Sequence, residues 1–204
     1  MKSYRARIAV AAGLAVAGLA LSACSGPVQA GAAAIVGKER ISSSDLDAKV
    51  RELRADLAAH KLSEEQLNLG TMSVPQVILY YTANARQYAE LARRKNVSVS
   101  ESEIDGYITA RGGQDKVDEM LLAGGVPRSM GRDTIRAVLT QQKLMSQLGA
   151  GNDQQSVQAA LVKVTEEADA AVPVTFSPRY GKWDLQQGFV ADDRLGAVEA
   201  APAQ

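Results

Sequence analysis

The 204-residue chain is short of reactive side chains: it has one cysteine, one histidine and nine aromatic residues, and its 23 basic and 23 acidic residues cancel. Each shortage removes a class of function. A lone Cys leaves no internal disulfide framework and no cysteine zinc cluster, and a lone His removes histidine-rich metal sites. A Ser-His-Asp triad would have to be built on His60, which falls at a polar helix end where a solvated role is expected. Zero net charge supplies no basic surface of the kind nucleic-acid binding needs. No metal, cofactor or nucleic-acid partner is expected. The paired acids Glu64-Glu65, Glu166-Glu167 and Asp192-Asp193 read as solvated faces, because neighbours on a helix point in different directions. Neither Gly112-Gly113 nor Gly124-Gly125 continues into the Gly-Lys-Ser/Thr of a phosphate loop. What remains is 46% apolar and 23% charged, the composition of one globular domain plus extras.

The N-terminus reads as an address. Lys2, Arg5 and Arg7 precede an uncharged run of 14 residues from Ile8 to Leu21, too short for a spanning helix of ~20 apolar residues. Leu21-Ser22-Ala23-Cys24 then resembles the bacterial lipobox, whose cysteine thiol receives diacylglycerol before cleavage on its N-terminal side. The alternative is an ordinary signal peptide cut after Val28-Gln29-Ala30. On the lipobox reading residues 1–23 are the signal and Cys24 is the lipidation site. Residues 24–31 are then a flexible tether, and the protein is held on the extracytoplasmic face of the cell membrane. Lipid contributes ~0.8 kcal/mol per buried methylene, so two or three chains on one residue anchor stably. The segment removed holds three basic and no acidic residues, which leaves 20 basic against 23 acidic and a net charge of −3. Such a body has no electrostatic reason to lie flat on an anionic membrane.

Beyond the tether the pattern is mainly helical. Ala32 to Val36, a Gly37-Lys38 turn and Glu39 to Ile41 predict a small β-hairpin. Ser42 with Asp45 opens a helix to about His60, carrying Leu46, Val50, Leu53 and Leu57 on one face. Ser63 with Gln66 starts a short helix that Gly70 stops, Ser73 with Pro75 a long one to about Lys95, and Ser100 with Glu103 another to about Arg111. Further helices are expected over Asp115 to Leu122, about Ser129 to Leu148, and Asp153 to Ala170. The first long helix aligns Val77, Ile78, Tyr81 and Tyr88; the second aligns Ile135, Val138, Leu139, Met145 and Leu148; the last aligns Val157, Ala160, Leu161 and Val164. Val172 to Phe176 is β-prone but interrupted by Pro173, so it predicts an edge strand that pairs with the hairpin. Residues 184–204 show little pattern and are expected to be disordered.

This order of elements resembles the N-terminal chaperone domain of the SurA and PrsA family of extracytoplasmic foldases, over about residues 32–183. The resemblance is carried by Ala34-Ile35-Val36-Gly37 with Ile41 and Asp45-Leu46, by Gly125-Val126 with Arg132 and Ile135-Arg136, and by Ser177-Pro178-Arg179-Tyr180-Gly181-Lys182-Trp183. The last run is similar to the Asn-Pro-Arg-Tyr-Gly close of small actinobacterial SurA-like lipoproteins, with Ser177 in place of Asn. Many members carry a parvulin prolyl isomerase domain between the N-terminal helices and the final helix and strand. Here only Gly149 to Asn152 separates those parts, so the resemblance implies a chaperone without isomerase activity.

Two functions are consistent with these features. One is a tethered holdase that covers the apolar segments of unfolded exported proteins in a helical groove, lined by Tyr80, Tyr107, Met120 and Met130. The other is a lipoprotein module that docks one dedicated envelope partner through Phe176, Tyr180, Trp183 and Phe189. Tyr180 and Trp183 are candidates on both readings, and packing of the terminal strand onto the helices is their alternative role. A parvulin-type foldase is the least favoured possibility.

Overall fold

In the computed structural model the described residues, 31–184 and 187–192, place six α-helices around a small antiparallel sheet. The hairpin forms as expected: β1 (Ala32–Val36) and β2 (Glu39–Ser42) flank a turn in which Gly37 takes a φ of +57°, open to glycine at little cost. Ser42 ends β2 and caps α1 (Ser43–Ala59), its hydroxyl accepting from the Asp45 amide at 3.0 Å. Leu46, Val50, Leu53 and Leu57 are all buried, the predicted stripe.

The same local chemistry starts three more helices. The Gln76 amide oxygen accepts from the Ser73 N–H at 2.8 Å at the head of α2 (Val74–Lys95), and Glu103 accepts from Ser100 N–H at 2.9 Å on α3 (Glu101–Ala110). These reciprocal bonds satisfy amides that the first helical turn leaves without partners. Gly113 precedes α4 (Gln114–Ala123), a single 3-10 turn precedes α5 (Gly131–Gln147), and Asp153 caps α6 (Gln154–Ala171) by accepting from Ser156 N–H at 2.8 Å. The short helix expected at Ser63 is one 3-10 turn, Glu64–Gln66.

From α6 the chain turns back into β3 (Val174–Phe176), which pairs antiparallel with β1 on the side away from β2. The register sets Ala34 opposite Phe176 and Val36 opposite Val174, giving the order β2-β1-β3. Strands near the two ends of the described chain, with Ala34 and Phe176 142 positions apart, thereby close one unit. Ala33, Ala34, Val36 and Ile41 pack with the α1 leucines and with Ile78 and Leu79 of α2 in the main core. Tyr88, Leu91, Leu144 and Val164 form a second cluster, and Ile104, Ile108, Val117 and Ile135 a third.

Three expectations are corrected. On α5 the buried residues include Thr134, Ile135, Thr140 and Leu144, while Val138, Leu139, Met145 and Leu148 are half-buried. This helix meets α2, α3 and α6, so its covered surface turns from one neighbour to the next instead of holding one stripe. On α6, Val157 is 38% exposed, since it lies in the first turn before the helix reaches the core at Ala160. The stretch expected to be a disordered tail also contributes a strand: β4 (Lys182–Asp184) and β5 (Gly188–Val190) form a two-stranded ladder with Trp183 opposite Phe189. Gly181, at φ +93°, has no room for a Cβ against the Val190 carbonyl, which fixes glycine at that corner. Residues 193–204 of the expected tail, together with the signal, most of the tether and Cys24, lie outside the described residues. No described helix is long and apolar enough to cross a membrane.

Candidate functional site

Helix α6 has two working faces. Ala160, Val164 and Ala168 point into the core, whereas Gln158, Leu161, Val162, Thr165, Glu166 and Asp169, spaced three or four apart, form one wall of an open cleft of about 320 Å³. Helix α2 supplies the facing wall with Tyr80, Asn84, Gln87 and Tyr88, α5 adds Gln141, and the C-terminal strands close one side with Val174, Phe176 and Trp183.

The strand side is aromatic. Trp183 stacks on Tyr80 with ring centroids 4.5 Å apart and planes 25° off parallel. Phe189 meets Trp183 edge-on at 5.2 Å, and Phe176 meets Phe189 edge-on at 4.9 Å. Each pair contributes about 0.5–1.5 kcal/mol beyond its buried area, which helps hold the short strands against α2.

The floor is polar and largely satisfied. Gln87, only 7% exposed, donates from Nε2 to Asp169 Oδ1 at 2.9 Å and to the Val172 carbonyl at 3.0 Å, which ties α2 to the end of α6. Gln141 donates to the Tyr88 hydroxyl at 2.8 Å. Burial pushes the Tyr80 and Tyr88 hydroxyls up in pKa, so both stay protonated and neutral. Glu166 and Asp169 stand on the exposed rim, and no Lys or Arg is among the lining residues.

Two other concavities are built differently. A groove of about 540 Å³ beside α2 and α5 holds Arg86, Arg93 and Arg136, but each is engaged: Arg86 with Glu39 and the Arg40 carbonyl, Arg93 with Glu90, Arg136 with Glu101 and Asp133. A pocket of about 220 Å³ contains Lys49 and Ser129 in hydrogen-bond contact. Lys49 donates there, and the Ser129 hydroxyl donates in turn to Glu52 at 2.8 Å, while Glu52 also pairs with Lys49 at 3.1 Å. Burial raises the Glu52 pKa, yet bonds from Ser129 and Lys49 outweigh it and hold the carboxyl below its ordinary value. Glu52 also accepts from the Ser129 N–H at 2.9 Å, so this trio staples α1 to the turn before α5. Among the described residues no group of three or more His, Cys, Asp and Glu is placed to hold a metal.

The residues singled out from sequence are dispersed. Tyr80 and Trp183 come together in the cleft. Tyr180 packs half-buried against the main core, and its carbonyl accepts from Gln76 at 2.8 Å. Met130 is buried at the base of the 220 Å³ pocket. Tyr107 lies on α3 under the Arg111 guanidinium at 3.4 Å, and Met120 lies 47% exposed on α4. Of the aromatic group at the C-terminal end, Phe176, Trp183 and Phe189 interlock while Tyr180 stays apart. His60 is exposed at the C-cap of α1, with Nδ1 at 2.8 Å from the Asp56 carbonyl. Sequence reasoning missed Val162, 47% exposed, and the amides of Asn84, Gln87, Gln141 and Gln158. The available signal was a second α6 stripe at 158, 161, 162, 165 and 169. Comparison with family models, curated proteins and solved structures finds no match.

Proposed function

We propose that this chain is a lipid-tethered extracytoplasmic holdase of SurA-like design, which binds segments of unfolded exported polypeptides in the cleft between α2 and α6 without isomerase chemistry. The observation that carries the reading is the cleft itself. It joins exposed apolar and aromatic surface, from Val162 to the Tyr80–Trp183 stack, with amide side chains suited to a peptide backbone. An unfolded chain offers the complementary groups, apolar side chains and unpaired amides, on every short segment. The pairing of β3 with the opening hairpin agrees with the SurA-like order of elements, in which a hairpin comes first and a helix leading into a strand follows the long helices. Cys24 and the preceding apolar run supply the tether.

Suppression of aggregation tests this reading. Several unrelated, chemically unfolded proteins are diluted with and without the chain, and light scattering is followed. Stoichiometric suppression for most of them is expected. Activity on none overturns the holdase and leaves the dedicated-partner module as the alternative.

A further inference from the structure

The outer edge of β3 and the rim of the cleft are one surface. Ser177 N–H bonds the Ala33 carbonyl at 2.8 Å and Gly37 N–H bonds the Pro173 carbonyl at 2.8 Å, so residues 173 and 177 direct their backbone groups toward β1. Antiparallel pairing alternates, which turns Thr175 toward Ile35 and leaves Val174 and Phe176 with their N–H and C=O groups on the outer side. No second strand pairs with that side among the described residues. Val174 and Phe176 are also the two β3 residues whose side chains line the cleft. On the facing rim stand Glu166 and Asp169, with no basic residue among the lining residues to neutralise them.

Resting on the holdase reading, we infer that the cleft binds its polypeptide by strand addition: an extended segment joins β3 along Val174 and Phe176 and presents a Lys or Arg to Glu166 and Asp169. Backbone pairing supplies affinity that does not depend on sequence. The carboxylates fix the register, because the basic residue must fall opposite the α6 rim while its neighbours at every second position meet the apolar wall. An exposed strand edge is otherwise a site for unwanted association. Its place beside a cleft whose lining holds two carboxylates and no basic residue suits a positively charged extended chain and disfavours a second copy of this chain, whose residues 24–204 carry 20 basic against 23 acidic side chains.

The test uses a fluorescein-labelled peptide that alternates Val or Phe with Thr and carries one central Lys, titrated into the chain and read by anisotropy. Two further peptides carry N-methyl groups on alternate residues, one set on the odd positions and one on the even. With the Lys anchoring the register, one methylated set loses two hydrogen bonds and weakens about tenfold or more, and the other retains most of its affinity. A Lys→Glu peptide weakens by a similar factor, and the Glu166→Gln, Asp169→Asn protein no longer distinguishes the two peptides. Equal effects of both methylation sets, or no effect of either, overturn strand addition. Indifference to the Lys→Glu change overturns the charge selection. Failure of the parent peptide to bind overturns the inference while aggregation suppression, measured on the same sample, reports separately on the holdase.

Discussion

Trp183 lies flat on Tyr80, 4.5 Å between ring centroids, although 103 residues separate them in the chain. Through this contact the β4–β5 ladder is docked on α2, and the same two rings form the end wall of the cleft.

Replacing Trp183 with alanine is therefore expected to cost about 1–2 kcal/mol from the lost stack and partial burial. For a domain of this size that is a fall in Tm of roughly 2–8 °C. Because Trp183 is the chain's sole tryptophan, its fluorescence also reports occupancy of the cleft. A peptide bound there shifts the emission, and a peptide bound elsewhere leaves it unchanged.

Phe189 packs edge-on against both Trp183 and Phe176, so β5 is docked on the aromatic wall. A chain ending at Asp192 is expected to be more stable than one ending at Trp183 by about 1–2 kcal/mol, the worth of a partly buried aromatic residue. Equal denaturation midpoints contradict the docking of β5.

The helix starts were legible in the sequence because a cap is a local device. Ser42, Ser73, Ser100 and Asp153 each lie within three residues of the group they bond, and no distant neighbour is needed to specify them. The edge strand was legible through Pro173 and the β-prone residues after it. The α5 face was not, since contact with three helices redistributes burial toward Thr134 and Thr140. Strand β5 was missed because three residues give no periodicity to read, and its order comes from Trp183 across the ladder. The cleft is only half visible in the sequence: Tyr80 stands out as an amphipathic ring and Trp183 as part of the C-terminal aromatic cluster, but Val162 and Gln87 acquire their roles only when α6 is laid beside α2.

Two glycines separate backbone cost from packing cost. Gly70 has a φ of +60° with open space around a notional Cβ, so Gly70→Ala is expected to lose only about 1 kcal/mol. At Gly125, φ +76°, an added Cβ would meet Leu69 Cδ2 at 2.8 Å and Val77 Cγ1 at 3.2 Å. Gly125→Ala is expected to cost about 2–4 kcal/mol, because overpacking adds to the backbone term. Urea midpoints of the two variants check the order.

Acid should loosen the junction of α3 with α5. The Lys143 ammonium, with Ser100, holds the Glu103 carboxyl down at about 2, from an ordinary 4.5. A folded-state pKa below the unfolded one means that the contribution is complete above about pH 4.5 and is lost as the pH falls toward about 2. Glu90, held at about 2 by Arg93 and Arg94, adds a slope in the same window and of the same sign. Glu103→Gln should flatten the fall in Tm across that range, and an unchanged profile contradicts the pairing.

Cys24→Ala should leave unprocessed precursor in cells and abolish labelling by radioactive palmitate. Persistent labelling contradicts the lipid tether.

The central claim, that unfolded polypeptide occupies the cleft between α2 and α6, is tested most directly by site-specific photocrosslinking from two positions on one helix. Val162 lines the cleft at 47% exposure, and Val157, 38% exposed on the same helix, is not among the lining residues. With a benzophenone side chain at either position, the account predicts strong crosslinks to a chemically unfolded client from 162 and only background from 157. Crosslinks of equal strength from both, or from 157 alone, would contradict it.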